Sequence, residues 1–297
     1  MGSASPGEPS GRSPCSPRRR IEARLAGVVA ANRLTLAVVV PLVGAALLVA
    51  SARSWLPPAL AFSPVLVLGG TLAMRLPLVA AVLPAVDRRA AAGLGALVAF
   101  AYGVEAVAVH TGWPYGHFTY GVALGPTVGG VPVALALLFV PLVLDAALLV
   151  AVLAPRRLGR WRRVPFVVAV VLAVDLVLDP GAVALGFWTY DGGGAYYGVP
   201  ASNYAGWLLS ATVSAVAVAA AFPRDRLRER ALACPFALDD LVSFLVLWTT
   251  VAIAIGRWGA VAVAGALAVP VGVALRRRAT AAPRSAALET AAAAGDD

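Results

Sequence analysis

Asp175-Leu-Val-Leu-Asp-Pro-Gly-Ala-Val-Ala-Leu-Gly-Phe-Trp-Thr-Tyr-Asp-Gly-Gly-Gly-Ala-Tyr-Tyr-Gly-Val-Pro-Ala-Ser-Asn-Tyr-Ala-Gly-Trp207 is the stretch on which the reading of this chain turns. It starts inside a long apolar run that carries Asp175 and Asp179. It then becomes a Gly-rich loop holding Phe187, Trp188, Tyr190, Tyr196, Tyr197, Tyr204 and Trp207. Carboxylates in an apolar run are costly and tend to be kept for function. Dense aromatics beside them, without one Arg, point to a pocket for a large unsaturated apolar molecule.

Working outward, the same apolar character fills the chain. Of its 297 residues, 60% are hydrophobic and 13% charged, with a mean hydropathy of +0.84. A soluble domain is nearer to about 45–50% apolar and about 25% charged. The apolar runs are continuous rather than alternating, which argues against a transmembrane barrel. The expected fold is therefore all-α, a polytopic membrane bundle of about eight helices with both termini cytoplasmic. The spans are expected near 34–50, 59–83, 90–109, 131–153, 164–185, 203–222, 241–255 and 258–275.

Charge placement supports this count. All 24 basic residues are Arg, and this arrangement puts 21 of them on the inner side. Only Arg53 and Arg257 lie outside, and Arg75 lies within the second span. That asymmetry follows the positive-inside rule and places both aromatic loops, 110–130 and 186–202, on the outer face. The formal net charge of +9 thus reflects topology and contact with anionic lipid, not nucleic-acid binding. Three regions follow: a disordered basic cytoplasmic tail over 1–31, a transmembrane domain over 32–276 and a flexible cytoplasmic tail over 277–297. The first tail has no apolar stretch before Leu34, so it is not a signal peptide. The two cysteines, Cys15 and Cys234, do not form a disulfide framework, and no Cys/His spacing resembles a zinc site.

The candidate chemistry lies in the few charges within the spans: Arg75, Glu105, Asp145, Asp175 and Asp179. On a helix, Asp175 and Asp179 are four apart and share a face. Two close carboxylates in a low dielectric do not readily both ionise, which makes one available as a general acid. Asp191 is either a turn residue or an acid of the loop. Arg75 and Asp145 are supporting residues, with Arg75 the expected partner of an acid. Asp239 and Asp240 are expected as acids of a helix N-terminus. His110 and His117 lie in the first aromatic loop without ligand spacing, so no metal is expected; hydrogen bonding or proton shuttling is the role left to them. Trp113, Tyr115, Trp188, Tyr190, Tyr196, Tyr197, Asn203 and Tyr204 are the candidate substrate contacts. A weak echo also links the loops: Glu105 precedes Gly112-Trp113-Pro114-Tyr115 as Asp179 precedes Gly186-Phe187-Trp188-Thr189-Tyr190. It is either a parallel repeat or coincidence among Gly and aromatics.

Four segments together resemble the carotenoid 1,2-hydratase family: Met74-Arg-Leu-Pro-Leu-Val, Thr111-Gly-Trp-Pro-Tyr-Gly, Leu178-Asp-Pro-Gly-Ala-Val-Ala-Leu-Gly-Phe-Trp and Tyr196-Tyr-Gly-Val-Pro-Ala-Ser-Asn-Tyr-Ala-Gly-Trp. The resemblance covers about residues 32–275. It implies addition of water to the terminal isopropylidene double bond of a long acyclic carotenoid. Hydration changes no oxidation state, so no cofactor is implied. The implied setting is the cell membrane, with the lipid bilayer and other carotenoid biosynthesis enzymes as partners. Within it, Asp179 or Glu105 would protonate the alkene, aromatic faces would stabilise the tertiary cation and a second carboxylate would position water. Asp175 and Asp191 complete the set of candidate catalytic acids. Two readings from other classes stay open on residues alone: a proton-coupled membrane transporter and a non-catalytic pigment-binding protein. Cyclisation of a carotenoid, which starts from the same protonated alkene, is a further possibility within the resemblance.

Overall fold

The structure is a computed structural model that describes residues 16–293, with side chains described for 16–280 except at 224. It is almost entirely helical. Seven helical stretches are long and apolar enough to cross a membrane. The expected eighth, Asp239–Ala254, is a 16-residue apolar helix, shorter than the roughly 20 residues an isolated span needs.

The chain opens with α1 (Pro17–Ala31), where Ser16 accepts from the Arg19 N–H and Pro17 fills the first turn. Residues 17–31, expected to be disordered, are thus helical. Leu25, Ala26 and Val29 form an apolar stripe that packs on Ala80, Ala81 and Phe236, and this burial holds the helix despite its arginines. Residues 1–15 of the expected tail lie outside the described residues.

A π-helical turn, Thr35–Val39, leads into α2 (Val40–Ala52). Pro41 has no N–H for the Ala37 carbonyl, and the helix widens at that point. Next come α3 (Pro64–Val82), prolonged by a 3₁₀ turn to Ala85, and α4 (Arg88–Thr111). Asp87 caps α4 by accepting from the Ala90 N–H at 2.9 Å, and Gly112 ends it in the left-handed region at φ 75°. The α5 helix (Leu135–Leu153) is apolar all round and mostly buried, which makes it the centre of the bundle. Around it stand α6 (Val164–Ala184) and α7 (Ala201–Ala221). A short polar α8 (Arg224–Ala233), then α9 (Asp239–Ala254) and α10 (Trp258–Ala293) complete the chain. The last of these continues through residues expected to form a flexible tail from 277; residues 294–297 lie outside the described part.

Two short strands tie the aromatic loops together. The strand β1 (Phe118–Tyr120), after α4, pairs antiparallel with β4 (Trp188–Tyr190), after α6, with Thr119 opposite Thr189. Between them in sequence, β2 (Thr127–Val128) and β3 (Val131–Pro132) form a hairpin. Its Gly129-Gly130 turn takes φ 59° and 84°, as a two-residue hairpin of this type requires. Both aromatic loops therefore sit at one end of the bundle.

Arginines gather at the other end, where they cap helix termini. Arg230 donates to Ala81 O at 3.1 Å, Arg228 to Ala154 O at 2.9 Å and Arg277 to Leu153 O at 2.8 Å. A cation at a helix C-terminus meets both the free carbonyls and the negative end of the macrodipole. In a bilayer these carbonyls must find a partner in the protein or in the headgroup region.

Candidate functional site

Glu105 and Asp179 reach the same depth from different helices. Glu105 lies six residues before the end of α4 and Asp179 five before the end of α6. At about 1.5 Å per residue, both are roughly 8–9 Å below the aromatic end. Asp175 and Asp179 share one face of α6 and are 1% and 2% exposed.

The first turn of α7 lays Asn203, itself 2% exposed, across the two aspartates. Its amide nitrogen donates to Asp179 Oδ2 and to Asp175 Oδ2, the latter at 3.3 Å. One NH2 group therefore ties both carboxylates together. The Tyr190 ring lines the same cavity as Asp179. On the opposite strand, the Tyr120 hydroxyl donates to Glu105 Oε1. The strands echo each other: β1 is Phe-Thr-Tyr and β4 is Trp-Thr-Tyr, and both tyrosines line the cavity with the acids. Thr119 and Thr189 meet at the centre, Oγ1 to Oγ1 at 3.2 Å. Burial pushes both tyrosine hydroxyls well above their usual range, helped by the acids beside them. They therefore stay protonated.

These groups open onto one cavity. Glu105, Asp179, Tyr115, Tyr120, Trp188, Tyr190, Asn203 and Trp207 line its polar end. From there it runs between aliphatic walls, with Gly44, Leu47 and Leu48 from α2, Leu66, Gly70 and Met74 from α3, and Leu138 and Leu142 from α5. Trp207 stacks on Phe139 at 5.4 Å and 18°. Tyr115 is fixed by its hydroxyl, which donates to Ser210 Oγ at 3.0 Å. Close packing here rests on Gly206, where any Cβ would strike the Tyr115 ring.

A second polar cluster stands deeper. Arg75 lines the cavity and holds Asp240 through Nη1, at 2.7 Å to Oδ1 and 2.8 Å to Oδ2. Its Nε donates to Leu137 O at 3.2 Å. Asp145, 1% exposed, sits against Asp240. Asp239 beside it is clamped by Arg33, at 2.8 and 2.9 Å. Arg75 and Asp145 thus meet in an ion cluster at the start of α9, where Asp239 and Asp240 occupy the first turn. The cluster is set apart from the acids at the aromatic end.

The structure brings Glu105, Asp179, Asn203, Tyr115, Trp188 and Tyr190 together, with Asp175 one hydrogen bond behind the wall. It places the other sequence candidates elsewhere. Trp113 is 61% exposed, because the left-handed Gly112 turns the chain outward before Tyr115 returns. Asp191 lies in an exposed turn after β4 and donates its backbone N–H to His117 O. His110 and His117 are exposed. Tyr196 donates to Leu176 O at 3.3 Å and Tyr197 accepts from Gly259 N–H at 2.9 Å, so both bind the loop to α6 and α10. Tyr204 packs on Tyr196 at 6.1 Å. Residues absent from the sequence candidates include Tyr120, Trp207 and Trp248. For Tyr120 the signal was present as the Phe-Thr-Tyr and Trp-Thr-Tyr echo. Among the described residues, no group of three or more His, Cys, Asp or Glu could hold a metal ion.

The chain is 54% identical over 232 residues to the bisanhydrobacterioruberin hydratase of Haloarcula japonica, covering 77% of this chain and 79% of that one. No solved structure matches. The family model described as carotenoid biosynthesis protein matches residues 62–271, from the loop before α3 into α10. The polytopic helical chain built around this acid-lined cavity belongs to the carotenoid biosynthesis protein family.

Proposed function

We propose that this chain is a membrane hydratase that adds water to the terminal isopropylidene double bond of a long acyclic carotenoid, of the bisanhydrobacterioruberin type. The observation that carries the reading is the convergence of Glu105–Tyr120 and Asp179–Asn203–Tyr190 on the polar end of one apolar, aromatic-walled cavity. The comparisons lend the transporter alternative no support.

The chemistry needs a proton on one alkene carbon and a water on the other. Glu105 accepts one hydrogen bond, from Tyr120, and faces the cavity. It serves as the proton donor to the less substituted carbon. The alkene π pair forms the new C–H bond and leaves a positive charge on the tertiary carbon. The faces of Trp188, Trp207 and Tyr190 line the space where that cation forms. In this reading Asp179, which accepts from Asn203, acts as the carboxylate. It orients a water, whose oxygen lone pair makes the C–O bond and whose proton passes to Asp179. Asp175 keeps Asn203 in place from behind. The proton returns from Asp179 to Glu105 before the next turnover, and no redox step occurs.

In this reading the bundle sits in the cell membrane with its arginine end in the cytoplasm. The test is pigment mass analysis after expression in cells that accumulate the acyclic precursor. Product heavier by one water per reacted end supports the function. Pigment left unchanged by a well-folded, membrane-inserted protein, tried with both shorter and longer acyclic carotenoids, refutes it.

A further inference from the structure

The cavity is more closely covered at its aromatic end than along its flank. At the aromatic end, Tyr115, Phe118, Val122, Leu124 and Phe187 form a roof, each no more than 9% exposed, and the β1–β4 pairing ties the two loops above it. On the flank, by contrast, cavity-lining residues reach the outside. Leu60 and Leu66 both line the cavity, yet are 48% and 44% exposed. One turn along α3 from Leu66, Gly70 lines it too and is partly exposed. A Cβ added at Gly70 would meet no atom within 4 Å, so open space borders the backbone there. Leu66 and Gly70 belong to the membrane-spanning stretch Pro64–Ala85. They fall about 3–9 Å below its aromatic end, so the opening faces the hydrocarbon, within the half of the bilayer nearer the aromatic loops.

Resting on the hydratase reading, we propose that Leu66 and Gly70 of α3 form the rim of a lateral portal through which the end of a lipid-dissolved polyene enters the site from the leaflet at the aromatic end. The occupant is fixed by chemistry: the rim is aliphatic and offers no charged side chain, and the passage beyond it keeps aliphatic walls up to the acids. The polyene's remaining length stays in lipid, so only its end leaves the bilayer's solvent.

The neighbouring glycine supplies a matched control. Gly69 is exposed, does not line the cavity and also has nothing within 4 Å of an added Cβ. Gly70→Trp, Gly69→Trp and wild type are compared in proteoliposomes on two substrates. One is the acyclic carotenoid. The other is myrcene, a short terpene with the same terminal group that can pass a narrowed opening. Gly70→Trp is expected to slow carotenoid hydration by about tenfold or more and myrcene hydration clearly less, and Gly69→Trp to match wild type on both. Carotenoid turnover by Gly70→Trp at the wild-type rate overturns the portal, as does equal loss on both substrates in a protein that remains folded. A wild-type protein that hydrates neither substrate sinks the hydratase reading itself, and the portal with it.

Discussion

Replacing Asp179 by Asn separates the chemistry of the site from its packing. The two side chains are nearly isosteric, and the amide oxygen can still accept from Asn203, the donor that holds Asp179. The new NH2 group has two N–H bonds where the carboxylate had only acceptors. Leaving these unsatisfied in a buried site costs about 1–3 kcal/mol, which a bundle of this size tolerates. The loss of proton handling is larger. A positioned acid or base contributes about 10²–10⁴-fold, equivalent to about 3–5 kcal/mol of barrier. Asp175 gives the internal comparison, since it touches Asn203 but does not line the cavity. Asp175→Asn should act only through the placement of Asn203, for a loss of about tenfold. The assay is hydrated carotenoid formed per mole of purified protein in lipid vesicles, with thermal stability in detergent measured in parallel. An Asp179→Asn protein that keeps more than about a tenth of wild-type turnover, or an Asp175→Asn protein that loses more than Asp179→Asn at equal stability, refutes the assignment.

Tyr120→Phe removes the only side-chain hydrogen bond shown for Glu105 and should lower kcat by about tenfold or more with little change in KM; an unchanged kcat would show that Tyr120 only packs. Arg75→Leu leaves Asp240 buried without its guanidinium and should destabilise the protein by about 3–5 kcal/mol, read as a large fall in Tm in detergent. The double variant Arg75→Leu/Asp240→Leu should recover much of that loss, and a double variant as unstable as the single one would contradict the pairing. Orientation is open to cysteine labelling in intact cells: a cysteine at Val128, on the β2–β3 hairpin, should react with a membrane-impermeant maleimide, and one at Arg157 only after lysis. The reverse pattern would invert the topology.

Much of the bundle is legible in the sequence because its solvent is hydrocarbon. Every spanning helix must be a long apolar run, so hydropathy alone finds α2 to α7 and α10. The chain departs from that rule at two places. Composition hides α1, where four arginines outweigh Leu25, Ala26 and Val29, yet those three suffice once Ala80, Ala81 and Phe236 stand opposite. The α9 helix stays short because its first turn is occupied by Asp239 and Asp240, whose charges are neutralised inside the bundle by Arg33 and Arg75. For the site, acids in apolar runs point directly to Glu105, Asp175 and Asp179. Which aromatics join them is a matter of loop path, and that depends on backbone turns at Gly112, Gly186 and Gly198. No periodic pattern encodes such turns. Trp113 and Tyr115, two residues apart, end on opposite sides of the loop for this reason.

The loop echo acquires a physical meaning once the strands are paired. The sequence match set Tyr115 against Tyr190, but in the β1–β4 ladder Phe118 is opposite Tyr190 and Tyr120 opposite Trp188, so Tyr120 is the counterpart of Tyr190 about the Thr119–Thr189 centre. An antiparallel pair relates its two strands by a local two-fold axis, so equivalent side chains on either side of the centre face equivalent helices. Tyr120 reaches Glu105 on α4, and Tyr190 lines the cavity with Asp179 of α6. Asymmetry enters with Asn203, an amide that donates to Asp179 and Asp175 together, while Glu105 accepts from the Tyr120 phenol. Two acids with matched positions and unmatched donors are what a hydration needs: one carboxyl that gives its proton and one that holds its charge until water releases one.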